Sequence, residues 1–251
     1  MRRTLLTIAL LFTGLVILPS FTPATDNPLK TVLLIPYQPV MHLSDADADI
    51  AGHSKINPRQ VRTVMRNSII ERLALRLREN FYVQHLTEIG TAREKDDLTH
   101  FYNSESFYLT SRDTGRKLLA GESSETGNPY FGIFRKNSSP RYESSYMNVS
   151  IKRPELIREL AATYEADYFL VLTQFEIKTH YNECIDIANH VFRREFLLHF
   201  AIFDAEGNQT GGTAVSYDAG SDVNTVNKIT YDIFPELVTK VCSHVSATAS
   251  R

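Results

Sequence analysis

Two long runs of alternating side chains do most to limit what this chain can fold into. Residues 167–180, DYFLVLTQFEIKTH, set Phe169, Val171, Phe175 and Ile177 on one side. The other side starts with Leu170 and Leu172 and turns polar at Gln174, Glu176, Lys178 and His180. Residues 191–204, VFRREFLLHFAIFD, set Phe192, Phe196, Leu198, Phe200 and Ile202 against Arg193, Glu195 and His199. Period two over such lengths is the signature of strands with one face buried. Ala205-Glu206-Gly207-Asn208 reads as a hairpin turn in which Gly207 supplies a positive φ. Residues 210–218, TGGTAVSYD, then form a weaker third strand, and residues 181–190 read as the connection between the first two. Such an antiparallel meander presents a broad apolar face that helices must cover.

The covering elements are legible on either side of it. Asn57 is placed to cap a helix, Pro58 suits its first turn, and Gln60 completes a capping box. Val61, Met65, Ile69, Leu73 and Leu77 then recur every four residues, widened by Val64, Ile70 and Ala74, while Arg59, Arg62, Arg66, Arg72, Arg76 and Arg78 mark the opposite face. The spacing predicts a helix to about Asn80, with strands at 30–37 and 81–86 around it and a loop over 38–56. Residues 87–150 are rich in Ser, Asn, Gly, Tyr and Glu and read as a partly ordered insertion with a short helix near 92–103. A helix follows from Pro154 to about Ala166. A last one runs from Asn224 or Val226 to Val245, with Pro235 expected to kink or split it. The order predicts an α+β fold: a mixed sheet with a C-terminal three-strand antiparallel meander, helices packed on it, and a long polar insertion.

The N-terminus opens with Arg2 and Arg3, continues as an apolar run from Leu5 to Leu18, and offers small residues at Thr22 and Ala24. That is the grammar of a secretory signal peptide over residues 1–24, leaving one domain over 25–251 with the insertion at 87–150. The apolar run falls short of the roughly 20 residues a span requires, which sets cleavage above an uncleaved anchor. Removing it takes Lys+Arg from 27 to 25 against 29 Asp+Glu, a net charge of about −4 that gives no electrostatic reason to bind nucleic acid. No later segment is long and apolar enough to span a bilayer. Two cysteines, Cys184 and Cys242, either pair as a disulfide, as exported chains favour, or stay as buried thiols. Neither stands where a lipid-bearing cysteine would follow the signal.

The opening strand Thr31–Pro36 ending in IPY, the helix Pro58–Asn80, the strand Phe81–Leu86, the helix Pro154–Ala166 running into ADYFLVL, and REFLLHFAIFDAEGN come in a suggestive order. It resembles a bacterial envelope fold: that of the amino-terminal domain of the Tol-Pal translocation protein, the curli-secretion lipoprotein, and periplasmic lipoproteins that activate cell-wall synthases. The resemblance covers about 29–86 and 153–245 and leaves out 87–150. It implies a non-catalytic module that docks on other envelope proteins; without a lipidation cysteine, membrane tethering and ring assembly do not carry over.

The stretch HLSDADADIAGHSK, 42–55, carries the most suggestive chemistry. Asp45, Asp47 and Asp49 alternate like the first ligands of a calcium loop, and His53 follows. Yet Ile50 and Ile56 occupy the positions of the turn-making glycine and the bidentate glutamate. In an extended segment the three carboxylates would share one side and need a cation there: a metal, or Arg59, Arg62 and Arg66 folding back from the next helix. Glu195 and His199, with Glu176 and His180 on the neighbouring strand, offer either an acid–base patch or the solvated face of a sheet. Tyr102, Phe107, Tyr108, Tyr130, Phe131 and Phe134 make the insertion aromatic, suited either to a partner surface or to a small satellite core. No GxSxG elbow, HExxH, P-loop or GxGxxG occurs. Together these features predict an exported, periplasmic or secreted, non-enzymatic envelope protein without cofactor that binds a protein partner in outer-membrane or cell-wall assembly; the alternative is a periplasmic metal-dependent hydrolase using Asp45, Asp47, Asp49 and His53.

Overall fold

The computed structural model describes residues 29–112, 117 and 145–250. The predicted signal segment, and Tyr130, Phe131 and Phe134 of the aromatic group, lie outside the described residues. In chain order the elements are β1 (Thr31–Ile35), a 3₁₀ turn (Pro39–Met41), β2 (His42–Ser44), α1 (Asp47–Ser54), α2 (Pro58–Leu77), β3 (Tyr82–His85), α3 (Ala92–Ser104) and β4 (Glu105–Ser111). Further along the chain come β5 (Ser145–Ile151), α4 (Pro154–Tyr164), β6 (Tyr168–Asp186), β7 (Val191–Asp204), β8 (Gln209–Gly220), α5 (Val226–Lys228) and α6 (Phe234–Ala249).

The main sheet runs β3-β1-β6-β7-β8. β1 is parallel to both β3 and β6, whereas β6, β7 and β8 form the antiparallel meander. β2 also pairs in parallel with β6, at Phe175–Ile177, beyond the end of β1. One 19-residue strand is therefore shared lengthwise by two short strands. β4 and β5 form a separate antiparallel pair.

One face of the sheet is covered by α1, α2 and the C-terminal helices. Val61, Met65, Ile69, Leu73 and Leu77 of α2 and Phe234, Leu237, Val241 and Val245 of α6 pack there against Leu34, Leu172, Phe196, Leu198 and Phe200. Each such large apolar side chain contributes roughly 1.5–3 kcal/mol when fully buried. The other face carries α3, α4 and β5, with Phe101, Val149, Ile157 and Leu160 packed on Leu33, Val171, Phe169 and Phe203. The described parts of the insertion are thus a structural layer. Phe101 and Val149 are as deeply enclosed as the sheet itself.

The local chemistry explains the element ends. Asn57 Oδ1 accepts from the Gln60 N–H and Gln60 Oε1 from the Asn57 N–H, both at 2.9 Å, closing the predicted capping box. Thr91 and Glu94 do the same for α3. Gly207 adopts φ +89° in the β7–β8 turn, and α4 ends at Glu165 in the left-handed region. Pro235 splits the last helix, as expected. A π-helical turn, Ile229–Ile233, separates α5 from α6, and Pro235 sits in the first turn of α6, where its missing N–H costs nothing.

Three expectations fail. Phe169 and Val171 do not share a face with Phe175 and Ile177: a register shift between Leu172 and Gln174 turns the second pair onto the face of Leu170 and Leu172. The loop assigned to 38–56 holds β2 and α1: Ala46, Ile50 and Ala51 are buried together on one side of α1, while Asp47 and Asp49 occupy its first turn, where carboxylates favour the helix dipole. The connection assigned to 181–190 is instead strand as far as Asp186, so that β6 and β7 extend as a hairpin past the helical cover. Tyr181, Ile185 and Ile187 lie in the open there, 64, 60 and 80% exposed, and strands without a buried face carry no apolar alternation to read. No helix among the described residues is long and apolar enough to cross a membrane.

Candidate functional site

The acidic stretch does not converge. Placing it on a short helix turns the three carboxylates to different partners. Asp45 accepts from the backbone N–H of Thr179 at 2.9 Å and from its hydroxyl at 3.2 Å, tying the start of α1 to β6. Asp47 is buried. Its Oδ1 lies 3.0 Å from His42 Nε2 and its Oδ2 accepts from Arg62 Nε at 2.6 Å. Burial alone would raise its pKa, but the hydrogen bond and charge of His42 and the bond from Arg62 outweigh it and hold the carboxyl below its ordinary value. Asp49 meets Arg194 Nη2 at 3.1 Å and His53 at 3.4 Å. Among the described residues no cluster of three or more His, Cys, Asp or Glu is arranged to hold a metal ion. The cations that meet the aspartates are side chains: Arg62, as the sequence allows, and Arg194, which it does not suggest. Arg59 pairs with none of them.

Arg66, on what reads as the polar face of α2, is only 6% exposed. Its Nε donates to the Tyr37 carbonyl at 2.8 Å, Nη2 to the Tyr102 hydroxyl at 2.7 Å, and Nη1 lies 3.0 Å from Glu88. Tyr102 in turn donates to the Pro36 carbonyl at 3.0 Å. The guanidinium thereby fastens the chain leaving β1 to α2 and α3. Beside it Gln38 Nε2 donates to Glu105 Oε2 at 2.6 Å, while Glu105 Oε1 has no hydrogen-bond partner. Burial pushes the Glu105 carboxyl up to about 8, against which the bond from Gln38 works only in part.

Tyr102 and Phe107 therefore belong to the packed layer, both being half-buried against its core. Tyr108 accepts from Asn148 Nδ2 at 3.1 Å, with Lys117 over its ring.

The Glu and His residues of the sheet resolve into two pairs. His199 Nδ1 accepts from the Met147 N–H at 3.0 Å, so a neutral ring carries its proton on Nε2. That atom stands 3.1 Å from Glu176 Oε1, at ion-pair distance but without hydrogen-bond geometry. With one nitrogen capped by backbone and the other turned to a carboxylate, the ring presents neither to a substrate. His180 and Glu195 approach at 3.4 Å further out. Arg193 bridges Glu183 and Asp218, completing a charged face on the outer meander.

A pocket of about 390 Å³ opens where this outer hairpin, α1 and the turn after β8 meet. Asp49 and Arg194 form its inner wall, with Tyr181, His190, Asp222 and Asn224 also lining it. Arg194 is 3% exposed. Its Nε donates to Thr179 Oγ1 at 3.1 Å, and Nη1 is left without a partner. Tyr181 packs tilted on Phe192, ring centroids 5.5 Å apart. Sequence reading missed this site because its walls come from segments far apart in the chain; only Asp49 drew attention.

The cysteines are free thiols, Cys184 exposed on the hairpin and Cys242 half-buried in α6. Burial pushes the Cys242 thiol up to about 12, which makes it inert.

No family model matches the chain, and no curated protein does. Among solved structures, the hypothetical protein CT253 from Chlamydia trachomatis aligns over 87% of this chain and 99% of its own, at 13% identity and a TM-score of 0.40. Lipoprotein GNA1162 from Neisseria meningitidis aligns over the same shares, at 13% identity and a TM-score of 0.36.

Proposed function

We propose that this is an exported envelope protein that works by binding another protein, and that it does so through the tip of the β6–β7 hairpin. One observation carries the reading: Tyr181, Ile185 and Ile187 are large apolar side chains left mostly exposed on a hairpin that extends past the helical cover. Exposed apolar groups gathered at one place mark contact sites. Glu183 between them is neutralised by Arg193, and Asp186 accepts from the Ala188 and Asn189 amides, so the fitting partner offers an apolar cleft with a neutral, polar rim. The signal-like N-terminus supports export, and the resemblance of the sequence to envelope docking modules supports a binding role. The far edge of β8 is a less suitable docking strand, because Lys240 of α6 already donates from Nζ to the Ser216 carbonyl there at 2.6 Å, and a charged group covering an edge discourages strand addition.

Photo-crosslinking residues placed at Ile185 or Ile187 of the exported chain test this in intact cells. A discrete adduct from both tip positions, and none from the exposed Val64 on α2, is expected. Equal adducts from tip and helix, or none from the tip, would refute the docking assignment. Recovery of the full-length, unprocessed chain in the cytosol would refute export.

A further inference from the structure

We propose that the pocket between Asp49, Arg194 and the turn after β8 binds a neutral sugar ring. The inference shares Tyr181 with the protein-partner reading and otherwise rests on the pocket's own lining, so Asp222→Ala, away from the hairpin tip, separates the two. The pocket's size, about 390 Å³, falls at the small end of ligand sites, which run from roughly 300 to 1,000 Å³.

Charge narrows the ligand. Arg194 and Asp49 neutralise one another at 3.1 Å, and Asp222 adds a second carboxylate at the rim. The lining is thus slightly acidic, which disfavours phosphates and carboxylates. It is also too polar for a hydrocarbon.

The uncommitted groups narrow it further. Among the described residues, the Asp222 carboxylate, the Asn224 amide, the His190 imidazole and the Tyr181 hydroxyl make no hydrogen bond within the protein. Together they offer acceptors for hydroxyl protons, through Asp222, and groups able to serve in either direction, through Asn224, His190 and Tyr181. A sugar's hydroxyls each donate and accept, so they can use both. Tyr181, 64% exposed and held by its contact with Phe192, supplies the remaining element: an aromatic face on which the C–H side of a pyranose can lie. A small number of directional polar groups beside an apolar plate is a common arrangement for ligand recognition.

The test is saturation-transfer NMR on the purified protein with maltotriose, cellotriose and tri-N-acetylchitotriose. Amide shifts report where each probe binds. At least one sugar is expected to show transfer at millimolar concentration, with shifts at His190 and at Ser221 to Asn224. Tyr181→Ala and Asp222→Ala, both exposed and dispensable for the core, should each weaken that binding by about tenfold, close to 1.4 kcal/mol. No transfer from any of the three sugars would overturn the proposal. So would shifts elsewhere, binding undiminished in both variants, or inorganic phosphate or cadaverine moving the same amides more strongly than every sugar.

Discussion

Replacing Glu105 by glutamine should make the protein more stable at alkaline pH while leaving it nearly unchanged in acid. Glu105 opens β4 and is 7% exposed, with Gln38 as its hydrogen-bond donor. Its carboxyl is raised from 4.5 to about 8. Below pH 4.5 the group is protonated in both folded and unfolded chains. Between 4.5 and 8 the unfolded chain has released a proton that the folded protein still holds, so stability falls as pH rises. Above 8 the folded carboxyl is ionised too, and the whole cost stands. At about 1.4 kcal/mol for each tenfold change, the linkage is on the order of 5 kcal/mol. The amide is the neutral acid's closest mimic. It keeps an acceptor for Gln38 and, like the acid, leaves the Oε1 position unpartnered. Urea denaturation of wild type and Glu105→Gln, followed by circular dichroism from pH 5 to 9, reads the difference directly. The two should differ by less than about 1 kcal/mol near pH 5, and the variant should lead by about 3–5 kcal/mol near pH 8, roughly 6–20 °C in melting temperature. Parallel curves across the range would refute the claim that this carboxyl is held neutral by burial.

Three further outcomes follow from the buried polar contacts. Arg66→Ala should cost about 2–3 kcal/mol in urea unfolding, because the Tyr37 carbonyl and Tyr102 hydroxyl lose their donor; Arg66→Lys should recover little of it, since a compact ammonium lacks the planar fork that spreads over these partners. Asp47→Ala should cost about 1–3 kcal/mol at neutral pH by orphaning His42. Because the Asp47 carboxyl is held below its ordinary value, that cost should vanish as pH falls through the folded value, and equal costs at pH 7 and in acid would contradict it. Addition of a chelator should leave the melting temperature unchanged, because Asp45, Asp47 and Asp49 already have protein partners; a clear drop would restore the metal reading.

What the sequence made legible follows from where the physics is local. The helix at 58–77 announces itself twice, through Asn57 and Gln60 at its start and apolar residues every four positions after it. The meander does so through alternation around Gly207. The helix at 47–54 could not be read this way. Its buried side consists of Ala46, Ile50 and Ala51, and the Asp-Ala alternation imitates an extended segment. The hairpin beyond His180 was hidden for the opposite reason, as its residues have little burial to encode. The candidate pocket was least legible of all. Asp49 and Arg194 stand 145 positions apart, and nothing in the local sequence of either names the other. Arg66 and Glu105 show the same limit: an arginine in a basic stripe and a glutamate in a polar stretch look like surface residues until the fold encloses them.

The long sixth strand has a mechanical consequence. Its outer end forms the exposed hairpin, while its inner length is flanked by β1 and β2 on one side and β7 on the other. A pull on the tip along the hairpin axis moves β6 and β7 together and loads in shear their bonds to β1, β2 and β8, all together, so that they cannot be peeled apart one at a time. Whatever takes hold of the tip therefore grips a stiff handle anchored through the middle of the molecule.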